Sequence, residues 1–280
     1  MGDGVVTWSS DGLTVVPVSG TGFTATCGQD SPGGGRSDHI KWSALLRRRA
    51  SSGVPGFDVP SDGVLDLAAT MSGRGTGVDR HPFGSAVADP WSDLRLAAAC
   101  LVTTDFESHL VFDFALTSGT VYALYERVAS PGAGYAAFSY AVPVADRAAD
   151  QWHDCRIRVD RGGTRVTWLL DGQVVLGTDR LGHRAFGREH LLVDHGGVEE
   201  TVRLRQLACG LGTFTTLDGA GPDGRGLVRL DSAPDFYYSP RHGAPVAQTF
   251  VDDASLPTSR IWGAGAVLRV RHVDIAVEGC

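Results

Sequence analysis

The chain has 280 residues (29.6 kDa), 42% of them hydrophobic, with 37 glycines, 13 prolines and a formal net charge of −7. That apolar content supports a sizeable core, while the glycine and proline counts imply many turns and few long helices. A pI near 5.7 leaves no basic face for phosphate, so nucleic acid is not an expected partner. Arg47-Arg48-Arg49, the one basic run, reads as a solvated segment.

Residues 1–12, MGDGVVTWSSDG, carry neither a basic n-region nor an apolar h-region, and no apolar run approaches the ~18 residues of a membrane span. Five cysteines (Cys27, Cys100, Cys155, Cys209 and Cys280) stand far apart with no CxxC, as reduced thiols acting as small hydrophobes do. Together these features predict a cytoplasmic protein with no membrane partner.

In chain order, residues 1–30 predict short strands around Val5, Thr7, Val15, Val16, Phe23 and Thr24. A long loop over 31–42 and a helical turn over 43–49 are expected next. Val64–Ser72 alternates as a strand, and 73–93 is the longest irregular stretch, a length usual for functional or mobile loops. Leu94–Val102 reads as a buried strand. Residues 106–117 and 120–128 read as a hairpin turning at Ser118-Gly119, and 136–144 as a further strand.

The strongest pattern runs from Trp152 to Val175. His153, Cys155, Ile157 and Val159 alternate with Asp154, Arg156, Arg158 and Asp160, and Arg161-Gly162-Gly163 makes a turn. Val166, Trp168 and Leu170 alternate on the return, and Asp171-Gly172 signals a type I′ hairpin into a third strand. Beyond it, 190–219 predicts two strands with His195-Gly196-Gly197 between them, and 219–262 is loop-rich and aromatic. The strand over 266–278 changes apolar phase between Val270 and Val273, which predicts a bulge. No composition break divides the chain, so one domain spanning 1–280 is expected. Many short strands with few short helices predict an all-β sandwich or barrel.

The segment from Trp152 to Gly172, with a Trp-His strand start leading to a tryptophan and Asp-Gly hairpin, resembles the concanavalin A-like lectin/glucanase superfamily, in particular laminarinase- and lichenase-type hydrolases. The resemblance covers 94–217 and implies a two-sheet antiparallel jelly-roll sandwich with a concave cleft. DHIKW (38–42), HPFG (81–84), YER (125–127), DHGG (194–197) and CGLGTFTTLDG (209–219) are also similar to a group of uncharacterised actinobacterial proteins sharing that fold.

In those glucanases one strand of the concave sheet carries Glu-x-Asp-x-Glu, whose outer carboxylates serve as nucleophile and acid/base. The equivalent place here holds Glu107, His109, Val111 and Asp113 on one face and Leu110, Phe112 and Phe114 on the other. Glu107 and Asp113 stand roughly 20 Å apart on an extended strand at ~3.3 Å per residue, too far for a carboxylate pair. The glycosidase motif is therefore not intact, and His109 beside Glu107 or Asp113 becomes the candidate acid or base. Tyr122, Leu124 and Glu126 share one face of the next strand, with Val121, Ala123 and Tyr125 on the other. Trp42, Tyr122, Tyr125, Glu126, Tyr140 and His195 are the candidate substrate-binding residues.

Asp194-His195-Gly196-Gly197 with Glu199-Glu200 clusters ionisable groups but fits no metal template, so Asp194 reads as a turn cap and no metal is expected. Asp38-His39 and His81-Pro82-Phe83 are further loop candidates. No GxSxG, HExxH, P-loop or dinucleotide fingerprint occurs, so no cofactor is expected. These features predict a cofactor-free intracellular enzyme of cyclase, isomerase or lyase type. Its small-molecule substrate would be a largely apolar biosynthetic intermediate in the concave cleft. The alternatives are a carbohydrate-binding lectin-like module, weakened by the absence of any asparagine, and a divergent glycoside hydrolase.

Overall fold

Residues 4–18, 40–259 and 264–279 are described in this computed structural model. They form seventeen strands and four three-residue 3₁₀ turns, with no longer helix among the described residues. Fifteen of the strands make two antiparallel sheets. In spatial order the first holds β1 (Gly4–Ser9), β2 (Gly12–Pro17), β17 (Gly265–Glu278), β5 (Val64–Thr76), β10 (His153–Asp160), β11 (Arg165–Leu170) and β12 (Gln173–Thr178). The second holds β13 (Leu191–Asp194), β9 (Phe138–Asp146), β8 (Thr120–Arg127), β7 (Leu110–Leu116), β6 (Ala98–Asp105), β14 (Gln206–Phe214) and β3 (Ile40–Leu45), with β4 (Phe57–Asp58) on β14. A short parallel pair, β15 (Gly226–Val228) and β16 (Phe250–Asp252), stands apart. Late strands pair with early ones, β17 with β2 and β5 and β14 with β3 and β6, as a jelly roll requires.

The period-two pattern builds the core between the sheets. Leu65, Leu67 and Met71 of β5, Ile157 and Val159 of β10 and Trp168 of β11 meet Leu110, Phe112 and Phe114 of β7 with Tyr125 and Phe138. Positive φ at Arg161, Gly162 and Gly163 makes the first meander turn. Asp171 (φ 50°) and Gly172 (φ 81°) form the I′ turn that their residue types predict. The register of β17 shifts between Val270 and His272, where the phase change placed a bulge.

Two expectations are corrected. Residues 43–49 form no helical turn: Ile40–Leu45 is a strand on β14, whose alternation places Trp42 in the core. The strand expected from Leu94 starts at Ala98, because Asp93 accepts from the Arg95 N–H and the Leu96 N–H closes a turn onto the Asp93 carbonyl. Phe23, Thr24, Cys27, Asp38, His39 and Cys280 lie outside the described residues.

Candidate functional site

The alternation that sends Leu110, Phe112 and Phe114 inward sends Val111, Asp113 and Ala115 to the outer face of the eight-stranded sheet. Tyr122, Leu124 and Glu126 of β8 join them there, as do Ala98, Cys100, Val102 and Thr104 of β6. Two hollows lie on this face. The smaller, about 300 Å³, is walled by apolar side chains such as Val102, Leu124 and Phe214. Asp113 and Glu126 are the carboxyl groups among the described residues lining it. The larger cleft, about 700 Å³, is lined by Asp89, Asp93, Arg95, Tyr122, Glu189, His190, Asp223 and Arg241, among others. Leu94 lines both, and one apolar cluster runs from Leu192 and Tyr122 through Leu94 to Cys100 and Phe214.

Asp113 is held from two sides. Leu101–Phe114 and Thr104–Val111 pair across β6 and β7, but the two positions between them do not. In that gap the Thr103 N–H donates to Asp113 Oδ1 at 2.7 Å, and the Thr103 hydroxyl donates to the Phe112 carbonyl. From the opposite sheet, Trp168 Nε1–H donates to the Asp113 carbonyl at 3.1 Å. Burial pushes the Asp113 carboxyl well above the usual carboxylate range; the Thr103 N–H pulls it down and the negative charge of Glu126 pushes it further up. The result is a carboxyl group, inside a largely apolar hollow, that gives up its proton at a higher pH than an ordinary aspartate.

The β7–β8 register sets Asp113 opposite Leu124 and Val111 opposite Glu126. Asp113 and Glu126 are therefore diagonal neighbours on one face, about 7–8 Å apart in a regular ladder. Such a pair, one member protonated by its surroundings, is the raw material of acid–base catalysis. Cys100 is no nucleophile here, since burial, then Asp113 and Glu126, push its thiol well above the usual range.

Of the other expected site residues, Tyr122 reaches the outer face. Its hydroxyl donates to the Ser92 carbonyl at 2.9 Å, and burial with nearby Asp93 pushes its pKa up to about 12. Glu107 and His109 are not on the strand, which starts at Leu110: both belong to the β6–β7 turn, where His109 is left-handed (φ 61°). Asp105 builds that turn by accepting from the Glu107 and Ser108 N–H groups, and the exposed Glu107 pairs with Arg205 and Gln206. Tyr125 (0% exposed) and Tyr140 (1%) point into the inter-sheet core, not the cleft. The Tyr125 hydroxyl accepts the Gly182 N–H and donates to the Arg180 carbonyl. Trp42 is buried against the other end of the core. His195 donates from Nδ1 to the Phe236 carbonyl at 2.6 Å, away from both hollows.

Asp194 caps its turn by accepting the Gly196 N–H and pairs with Arg184, as the capping reading expects. No cluster of three metal-ligating side chains occurs among the described residues. Phe83 is buried in a satellite core cluster as a plug, while the loop that follows it supplies Ser85, Asp89 and Asp93 to the larger cleft. The Asp113–Glu126 pairing escaped the sequence reading, although a hairpin centred on Ser118-Gly119 already places 113 opposite 124.

The model described as "Family of unknown function (DUF6081)" matches residues 1–279. The chain belongs to the DUF6081 family. The DUF6081 chain is 28% identical over 277 residues to an uncharacterized protein of Acanthamoeba polyphaga mimivirus, covering 77% of this chain and 60% of that protein. It thus spans less than two thirds of that relative's length. Its two large antiparallel sheets form the sandwich that the strand pattern predicts. Among solved structures it is similar to alginate lyase A1-II′ of polysaccharide lyase family 7, with TM-score 0.46 and 9% identity over 98% of this chain and 84% of that one. It is also similar to Crh5 transglycosylase in complex with NAG (0.34, 13%, 85% and 72%) and to the carbohydrate binding module CBM66 of Bacillus subtilis (0.30, 9%, 76% and 89%). At 9–13% identity no residue role passes from these proteins to the DUF6081 chain.

Proposed function

We propose that this protein is a cofactor-independent acid–base enzyme that hydrolyses a glycosidic bond on the outer face of the eight-stranded sheet. Asp113 is the proton donor and Glu126 the general base. The observation that carries the reading is a buried carboxyl, its pKa raised by burial, diagonal to a second carboxyl in one hollow. In the reaction, the Asp113 proton passes to the glycosidic oxygen as the bond to the anomeric carbon breaks. A water oxygen bonds to that carbon and gives its proton to Glu126. Exchange with solvent then returns a proton to Asp113 and removes one from Glu126. The diagonal register of Asp113 and Glu126 brings both side chains to one hollow, as an acid and a base acting on opposite sides of one bond require.

The apolar walls of the smaller hollow favour a second reading, proton transfer by Asp113 to a small apolar biosynthetic intermediate. Free, buried Cys100, Cys155 and Cys209 support placing either activity in a reducing compartment such as the cytoplasm. The test is a panel of alkyl glycosides of neutral sugars, whose poor leaving groups need the proton that Asp113 supplies. Wild type is expected to release reducing sugar, with Asp113→Asn and Glu126→Gln each lowering kcat/KM by about 10²–10⁴-fold at unchanged circular dichroism. No release across the panel, or variants as active as wild type, overturns the proposal.

A further inference from the structure

The two hollows differ in chemistry yet share a wall, and that combination constrains what fits across them. Around the larger cleft stand four carboxylates, Asp89, Asp93, Glu189 and Asp223, against two guanidinium groups. Both guanidinium groups already hold protein partners. Arg95 forks onto Asp93 and donates to the Ala86 carbonyl, and Arg241 donates to the carbonyls of Arg188, Gly221 and Pro222. A uronate or sulfated sugar would meet like charge there. A neutral sugar presents hydroxyl donors, which carboxylates accept well. Beyond Leu94 the smaller hollow is walled mainly by apolar side chains, Val102, Val111, Leu124 and Phe214 among them, with the hydroxyls of Ser43, Thr104 and Thr216, and suits a hydrocarbon better than a whole sugar ring. Asp113 and Glu126 sit on that apolar side, and Tyr122 and Leu124, two positions apart on β8, line the two hollows in turn.

We infer that the ligand is bipartite: a neutral sugar in the larger cleft joined to an apolar group that enters the smaller hollow on its Asp113 side, leaving the Glu126 side to the attacking water, with Leu94 beneath the junction. This deepens the glycosidase reading and rests on it for the identity of the scissile bond. The 300 Å³ of the apolar side equals the liquid volume of about ten waters, space for a short alkyl chain or a single ring.

Binding separates this inference from turnover. Hexyl and methyl β-D-glucosides and β-D-galactosides, and 1-hexanol, are titrated calorimetrically into the Asp113→Asn protein, whose fold is checked by circular dichroism and whose slowed turnover leaves binding readable. The hexyl glycoside of at least one sugar is expected to bind about 100-fold tighter than its methyl counterpart, from burial of the added methylenes. Ala98→Phe, which fills the smaller hollow, is expected to abolish that ratio. Thr104→Trp, at a half-buried position of the same wall, replaces it if the first variant does not fold. Equal binding of hexyl and methyl glycosides overturns the inference and leaves the glycosidase reading standing. Binding of 1-hexanol as tight as that of the hexyl glycosides removes the sugar and overturns it in favour of an apolar metabolite. No binding of any probe overturns it as well. Tight hexyl-glycoside binding without hydrolysis by wild type retains the bipartite ligand and rejects the glycosidase.

Discussion

Trp168 Nε1–H reaches across the sandwich to the Asp113 carbonyl at 3.1 Å, so the indole that centres the core also holds the backbone directly behind the candidate acid. The carbonyl takes this bond where the β6–β7 ladder lapses, between the Leu101–Phe114 and Thr104–Val111 pairs. Trp168→Phe keeps a ring beside Phe112 but removes the donor. An orphaned buried acceptor costs about 1–3 kcal/mol, and the smaller ring adds to it. Urea unfolding is expected to show at least that loss; a change below about 0.5 kcal/mol would mean the carbonyl finds another donor.

Asp113 gives stability a pH dependence of unusual sign. Its folded-state pKa lies well above the ordinary value, so the folded chain holds this proton more tightly than the unfolded one. Its protonated form favours folding at and below the ordinary carboxylate pKa, and that contribution is lost as pH rises toward the raised folded value. Asp113→Asn keeps an oxygen for the Thr103 N–H and does not titrate. The Tm of wild type minus that of Asp113→Asn is expected to fall between pH 4.5 and 7.5. A rising difference would contradict the burial argument.

Asp66 behaves oppositely. Burial alone would raise its carboxyl, but hydrogen bonds from Arg158 (2.9 and 2.8 Å) and Arg156 (3.0 Å) outweigh that and hold it below the ordinary range. Its contribution is complete above the ordinary carboxylate pKa and lost as pH falls through the lowered one. Asp66→Asn, which leaves two adjacent arginines facing each other, is expected to cost about 1 kcal/mol at pH 7, shrinking below pH 4. An equal cost at both pH values would point to packing rather than charge.

Tyr125 tests the reassignment from cleft to core. Tyr125→Phe strands the Gly182 N–H, and melting is expected to show a loss of about 1–3 kcal/mol. Since Tyr125 faces Phe112, Phe138 and Phe186, glycoside turnover by the folded variant is expected to match wild type. A fall in kcat with unaltered stability would return this residue to the site.

Local chemistry explains which parts were legible in the sequence. Alternation from His153 to Leu170 and the Asp171-Gly172 turn are short-range signals, and they appear in place as β10 and β11 with their I′ hairpin. The bulge at Val270/His272 was visible for the same reason, since a phase slip in one strand needs no partner to be seen. Parity correctly separated Asp113 from Phe112 and Tyr122 from Tyr125. It failed at Glu107 and His109 because Asp105 accepts the next N–H groups and turns the chain before parity can extend. Trp42 and Tyr140 were misplaced because an aromatic residue alone does not say which sheet face it occupies. The larger cleft was invisible because its charged groups come from 85–95, 189–190 and 221–241, brought together only by β13 pairing with β9.

The claim on which the rest depends is that Asp113, beside Glu126, keeps its proton to a pH well above the ordinary carboxylate range. Carbon-13 NMR of carboxyl-labelled aspartate, titrated from pH 3 to 9 and assigned through Asp113→Asn, reads this directly. The account predicts that Asp113 stays protonated through the range where the other aspartates ionise, and that Glu126→Gln lowers its midpoint by removing the adjacent charge. An Asp113 that ionises with the others near pH 4, or ignores Glu126→Gln, would contradict the account.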